Sequence, residues 1–577
     1  MGPPDVILVI PPMNVQVTHP DIGVPQLTAH LRRLGFSVLQ HDLNMAFMYR
    51  HLADPDVVSG FLDTISRRSG RDISGLFLDS LLESIGLAMS ESRPPDLRPE
   101  MGPDVRGYMN RRAARLNILS NVQDLEVDVK VLGRRGAWKG FVEMVDGIHL
   151  QPRSFTEKDL LAAARSEIPL LETFYERFLD SALEAGAPRL LGISIGSTTQ
   201  LLPALVLARM ARARELMVVA GGPWCSAARD LLPGLGSLRR YLDAAVIHEG
   251  ERPLVEILGR LERSEPLGSI DGVVVPGKEP AAPPVPVPLE ELAPPEYDGM
   301  NIDLHPVPAA PVRLTRGCHW ARCDFCHHVF PGYTELHAST EASISDGYID
   351  GLVDHIEDLK AGHGVEQIFL SDNGPPWRLL HRFASRLLER DTSIHWESLA
   401  RFEPELTVEA CRDVAASGCR GLYFGLETSS VKELGALAKG IDLEVAERCL
   451  EMCAQAGVWS FVFVLCHPLQ TLESYRETFE WLKDRFDSVT QVIAFRFTLA
   501  RFSRAYRKRN QMGIRLRRGA SSNLDVFAVP YTSDTDVPLD AFIDLTERYE
   551  TELRNLRSYP PPMTRACWNA SQTGGRR

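Results

Sequence analysis

The strongest constraint on this chain is a run of three thiols, Cys318, Cys323 and Cys326, set within nine residues just after a short β-like stretch that ends at Gly317. A loop that tight can turn three sulfurs toward one face of a metal or cluster. Three thiolates on a cubane [4Fe-4S] cluster leave one iron open for a substrate or cofactor, whereas four would close it. With His319, His327 or His328 as a fourth ligand, the same loop would make a zinc site. The spacing C-x4-C-x2-C serves either metal and leaves the choice to the sequence downstream.

Length and cysteine usage bound the rest. A chain of 577 residues is expected to hold two or three domains and to bury its core without disulfide staples. Its ten cysteines are few, and none precedes Cys225, so the clustered three read as ligands in a reducing compartment. The opening residues Met1–Asp5 lead straight into a strand with no basic leader, and no apolar run reaches membrane-spanning length. The expectation is a cytoplasmic protein with no membrane partner. A net charge of −13, and no basic stripe interleaved with aromatics, argues against a nucleic-acid partner.

The first half reads as an α/β sheet. Val6–Ile10 is a continuous apolar run suited to a buried parallel strand, residues 24–35 have helical spacing with a stop at Gly35, and Phe36–Leu39 gives a second strand. A helical insertion is expected at about 45–185, with a Pro/Arg-rich break near residues 93–99. The sheet resumes with strands at Leu190–Ile195, Met217–Ala220 and Ala244–Ile247. Strands alternating with helices predict a doubly wound parallel sheet, which takes ligands beyond its strand carboxyl ends. Ser194, Gly196, Ser197, Gly221 and Gly222 stand there, either letting backbone approach a ligand closely or serving as ordinary turn residues. A proline-rich stretch over 273–311 reads as a semi-rigid linker and closes a first domain of residues 1–272.

The second half carries about six βα-like units over 312–503, with strands expected at Val312–Arg316, Gln367–Ser371, Ile394–Arg401, Gly421–Leu426, Ser460–Leu465 and Val489–Phe497. Such a run predicts a partial barrel with functional groups at the carboxyl ends of its strands. Polar residues stand at those ends: Asp372, then Glu397 and Arg401 on one strand face, Glu427 with Thr428 and Ser429, and His467. Each acid could equally cap a helix. Residues 504–577 are expected to form a cap over the mouth and a disordered tail, with the basic run Arg504–Asn510 as a solvated helix face.

Residues 312–500 resemble a radical S-adenosylmethionine (SAM) enzyme core. The resemblance is carried by the three-cysteine loop with Phe325 before its last cysteine, Gly425–Ser429, Ala438–Gly440, Val464–Pro468 and Thr471–Glu473. The first half resembles the cobalamin-binding domain joined to one large class of these enzymes, the class B methyltransferases, through Ile10–Pro12, Gly35 with Asp42, Gly192–Ser194, Gly221–Pro223 and Gly250–Glu251. Two departures stand out: the first cysteine gap is one residue longer than the usual C-x3-C-x2-C, and no D-x-H-x-x-G motif supplies a histidine below cobalt, His41 preceding Asp42 out of register. The resemblance implies a Rossmann-like cobalamin domain, a partial (β/α)6 barrel, and a [4Fe-4S] cluster on the three cysteines whose open iron chelates SAM. It implies adenine packing near Phe325, ribose hydroxyls on Glu427, and polar SAM contacts from Asp372 and Arg401. Ser194, Gly221 and Gly222 would line cobalamin. An electron from a flavodoxin- or ferredoxin-like donor would cleave SAM, and the resulting radical would remove hydrogen from an unactivated carbon of a peptide or small-molecule substrate, to which methylcobalamin adds a methyl group. The resemblance leaves open cyclisation or rearrangement without methyl transfer. A corrinoid- or zinc-binding regulator is disfavoured, since it would have no use for Glu427.

Overall fold

The computed structural model describes residues 3–13, 19–47, 154–184, 186–305, 309–535 and 537–556. Most of the expected helical insertion and the tail from Ser558 lie outside the described residues. The chain divides into two compact units: the first ends at residue 306 and also takes in Ser522–Val526, and the second holds most of the chain from Val307 onward.

The first unit is built on a six-stranded sheet, β1 (Val6–Ile10), β2 (Val38–Asp42), β3 (Leu190–Ser194), β4 (Val218–Gly221), β5 (Ala244–Val246) and β6 (Val273–Val274), in the order β2-β1-β3-β4-β5-β6. Every residue of β1 is buried, as an apolar run covered on both faces should be. Each such side chain contributes roughly 1.5–3 kcal/mol relative to exposure. The order reverses between β1 and β3, which creates a topological switch point beyond their carboxyl ends. The expected parallel sheet needs one correction, because β6 runs antiparallel to β5 and closes the edge. The second strand is also shifted, starting at Val38 and running to Asp42, whose side chain caps the next turn at Met45.

The proline-rich stretch is not a free linker. It begins as β6 and continues as a strap over the first sheet, burying Tyr297 and Met300. Prolines cannot donate to a ladder, yet backbone carbonyls of the stretch can accept. Gln26 donates to Ala293 O at 2.6 Å, Gln40 to Glu296 O at 2.7 Å, and the Gly272 N–H to Ala282 O at 2.7 Å. The strap is tied to helix Gly23–Arg33 by Gln26 and to β2 by Gln40, side-chain amides that a composition argument cannot see.

The second unit holds a six-stranded sheet, β7 (Ala309–Val312), β8 (Gln367–Leu370), β9 (His395–Ala400), β10 (Cys419–Glu427), β11 (Trp459–Cys466) and β12 (Gln491–Arg496), all parallel and each beside the next in the chain. Pro311 is tolerated because β7 is an edge strand. The intervening helices start where side-chain caps dictate: Ser345 before Asp346–His363, Thr407 before Val408–Ala416, Asp442 before Leu443–Ala456 and Thr471 before Leu472–Lys483. Parallel strands with helical returns bring all six carboxyl ends to one edge.

A hairpin of β13 (Ile514–Leu516) and β14 (Tyr531–Ser533) comes after the basic run, and helix Leu539–Leu556 lies against helix Leu472–Lys483. There Tyr549 stacks on Phe479 at 4.8 Å, and the Tyr475 hydroxyl meets Thr546 at 2.9 Å. Among the described residues no helix is long and apolar enough to cross a membrane.

Candidate active site

The cysteine loop leaves β7 earlier than its sequence suggests. The strand ends at Val312, not Arg316, because Asp372 beyond β8 captures the chain. Its carboxylate accepts from the Leu314 N–H at 3.0 Å, the Thr315 N–H at 2.6 Å and the Thr315 hydroxyl at 2.7 Å. Burial pushes the Asp372 carboxyl above its ordinary value, against the pull of these bonds. Asp372 therefore anchors the start of the loop with both oxygens. Gly374, at φ +143°, brings its chain so close that an added Cβ would lie 3.1 Å from Cys318 Sγ.

Two of the histidines beside the thiols have their rings committed elsewhere. His319 donates from Nδ1 to Gly374 O at 2.8 Å and holds Glu403 through Nε2 at 3.1 Å, and His327 Nε2 bonds Thr498 at 3.0 Å. The His328 N–H donates to Cys326 Sγ at 3.4 Å. No three metal-binding side chains among the described residues converge tightly enough for a single ion. Three sulfurs, with the rings of His319 and His327 engaged elsewhere, suit a cluster that keeps one iron open. Exclusion of water pushes the Cys326 thiol up to about 12 and raises Cys323 as well. Thiolates here need a cationic partner, which iron would supply.

At the end of β10 the register slips between Gly425 and Glu427. Glu427 takes a φ of +69°, and the Thr428 N–H closes back on Leu426 O at 2.9 Å. This is a γ-turn on a non-glycine residue, a conformation that costs on the order of 1–3 kcal/mol and is kept where function over-determines it. It turns the Glu427 carboxylate to Lys439 Nζ at 2.6 Å, both side chains being almost closed to water at 7% and 10% exposure. Gly425 leaves the room: a Cβ there would lie 2.3 Å from Lys439 Nζ and 2.5 Å from Glu427 Oε1. Lys439 Nζ also sits 5.7 Å over the Phe325 ring, so Phe325, Glu427 and Lys439 share one wall with the cysteine loop.

Arg401 stands just past β9. Its guanidinium lies over Trp320 at 5.0 Å and donates to Lys439 O at 2.7 Å. Trp320 donates to Ala438 O at 2.9 Å and packs so closely on Gly440 that a Cβ would come within 2.0 Å of its ring. Glu397 does not share that place; it is buried with the Tyr423 hydroxyl at 2.8 Å. His467 turns into a buried network with Glu433 at 3.2 Å, joined by Thr428, Gln470 and Ser474. Burial would raise the Glu433 carboxyl, but the bonds from His467, Ser474 and Thr428 outweigh it and hold it below its ordinary value. Lys439 carried only a motif signal in the sequence. Asp324, Trp320 and Lys508 carried none, since their partners are more than 100 residues away.

In the first unit the strand ends are tied to one another. Gln200 accepts from the Gly196 N–H at 2.7 Å and the Ser197 N–H at 3.2 Å, and donates to Pro11 O at 2.6 Å, stitching the loops after β3 and β1 across the switch point. Gly222, at φ +92°, lies where a Cβ would be 2.8 Å from Ile195 O, while one on Gly221 would meet nothing nearer than 3.9 Å. Ser194 ends β3 opposite Gly221. Thr198 donates to Asp525 at 2.9 Å and Trp224 to Leu524 O at 3.0 Å, so Ser522–Val526 packs beside these loops. His41 packs edge-on against Phe178. Just past β2, Met45 and Phe47 are buried in the core.

Residues 312–482 match the family described as the Radical SAM superfamily. An uncharacterised methyltransferase of Pyrococcus horikoshii is 24% identical over 313 residues, 51% of this chain, and the chain spans 64% of that relative's length. The methyltransferase TsrM of Kitasatospora setae, solved with cobalamin and a [4Fe-4S] cluster, superposes with a TM-score of 0.52 at 14% identity, covering 90% of this chain and 77% of that one. Cysteine loop, strand-end glutamate and family match together mark residues 312–482 as a radical SAM domain. Across most of its length the chain has the fold of TsrM.

Proposed function

We propose that this chain is a cobalamin-dependent radical SAM C-methyltransferase acting on an unactivated carbon of a peptide or other natural-product intermediate. The observation that carries this reading is the wall formed by the three-thiol loop, Phe325 and the Glu427–Lys439 pair. Cys318, Cys323 and Cys326 would hold the cluster, which supplies one-electron cleavage of SAM. Glu427, paired with Lys439 and aimed by its γ-turn, would accept from the ribose hydroxyls. Phe325 offers a face for the adenine, and Arg401, stacked on Trp320, carries a guanidinium suited to a carboxylate. Asp372 acts through the loop it anchors.

The corrinoid belongs to the first unit, at the switch point between β1 and β3. The lack of any side chain on Gly221, where a Cβ would only touch Val246 at 3.9 Å, supports a large flat ligand approaching there, with Ser194 beside it. Gly222 acts indirectly, letting the β4 loop lie on Ile195. The TsrM fold and the methyltransferase relative support the same cofactor and reaction class. An electron donor of the flavodoxin or ferredoxin kind completes the cycle.

Anaerobic purification tests the reading. About four iron and four sulfide per chain are expected, with cobalamin retained through gel filtration and labelled methyl passing from SAM to a peptide or scaffold substrate. Stoichiometric zinc without iron would end the cluster reading, and a chain that releases all its cobalamin would end the corrinoid half.

A further inference from the structure

The basic run Arg504–Asn510 lies beyond the residues that match the radical SAM family, and although Arg507, Lys508 and Asn510 are exposed, it does more than face solvent. The Ser503 hydroxyl accepts from the Tyr506 N–H at 3.1 Å and starts a short turn that points two cations at the cysteine loop. Arg504 donates to Ala321 O at 3.3 Å and pairs with Glu335. Lys508 Nζ lies 2.9 Å from each carboxylate oxygen of Asp324. Asp324 stands between Cys323 and Phe325, and its backbone is held too: its N–H donates to Leu437 O at 2.9 Å and its carbonyl accepts from Ala505 at 2.8 Å. The carboxylate is 5% exposed and the lysine 46%. Ala321, at φ +47°, is a second strained point of the same loop. All four polar groups of Asp324 are therefore engaged, three of them by the segment after β12.

We infer that Lys508 is a positioning residue for the iron–sulfur cluster, acting through Asp324, and this role rests on the cluster reading. Lys508 fixes the turn between Cys323 and Cys326 and neutralises a buried carboxylate beside the ligands. A buried anion left without its partner disfavours both its own burial and the arrival of an electron nearby.

The test uses the full chain, reconstituted anaerobically with iron and sulfide and titrated with dithionite against redox dyes. Lys508→Met is expected to hold less iron than the parent, to shift the cluster's reduction potential negative in the fraction retained, and to slow SAM cleavage several-fold. Asp324→Asn in the Lys508→Met background removes the stranded charge and is expected to return the potential toward the parent value. A Lys508→Met variant with the parent's iron content and potential overturns the inference. So does a double variant whose potential stays as low as that of Lys508→Met. A parent chain that takes up no iron–sulfur cluster fails earlier and condemns the cluster reading.

Discussion

Glycines stand at strand ends in both sheets, yet Gly222 and Gly425 make room for different things. Gly222 lets the β4 loop lie directly on the Ile195 backbone, and Gln200 consumes the Gly196 and Ser197 N–H groups beside it. Gly425 lets a charged pair, Glu427 and Lys439, sit beside the thiols on a strained turn. In the first arrangement Gly222 and the Gly196 and Ser197 N–H groups are satisfied by the protein itself. The second spends backbone strain to aim groups that a bound molecule can use. Small residues at strand ends thus do not mark a ligand contact by themselves, and the partner across the gap decides.

The largest expected effect comes from the thiols. Cys323→Ala should reduce iron and sulfide from about four per chain to near none and abolish SAM cleavage, while cobalamin binding in the first unit persists. A variant that keeps its iron would show that the loop is not the ligand set. Next is Lys439→Met, which strands a buried carboxylate and should cost about 3–5 kcal/mol of stability. Glu427→Gln added to it should recover much of that melting temperature without recovering SAM affinity, measured by equilibrium dialysis. Recovery of both would reduce the pair to a structural ion pair.

Gly222→Ala sets the two regions directly against each other. Its methyl group would strike Ile195 O from a positive φ, costing about 1–3 kcal/mol of stability while leaving SAM binding intact. Gly425→Ala should do the reverse, weakening SAM binding roughly tenfold (about 1.4 kcal/mol) with the smaller change in melting temperature; the opposite pattern would undo the contrast. The smallest effect concerns acid. Glu433 titrates below its ordinary value of 4.5, so its network stabilises fully above that pH and loses its contribution as the pH falls through the lowered value. Glu433→Gln should flatten the acid limb of a plot of melting temperature against pH, and an unchanged limb would place the loss elsewhere.

The legible parts of this molecule were the local ones. The apolar runs of β1, β3 and β4 are short-range signals, and each forms a strand within a residue of the stretch that carries it. The proline-rich stretch misled because composition reports what a backbone cannot donate and is silent on what its carbonyls accept.

The sequence by itself determined two α/β sheets, the cysteine loop and the strand ends where chemistry would gather, because periodicity and ligand spacing act over a few residues. Only the tertiary structure decided that Asp372 holds the loop and Lys439 holds Glu427. It likewise decided that Lys508 reaches Asp324 and that Gly222 serves packing. Those outcomes depend on side chains meeting across distant stretches of chain, where a buried charge must find its partner or not be buried at all.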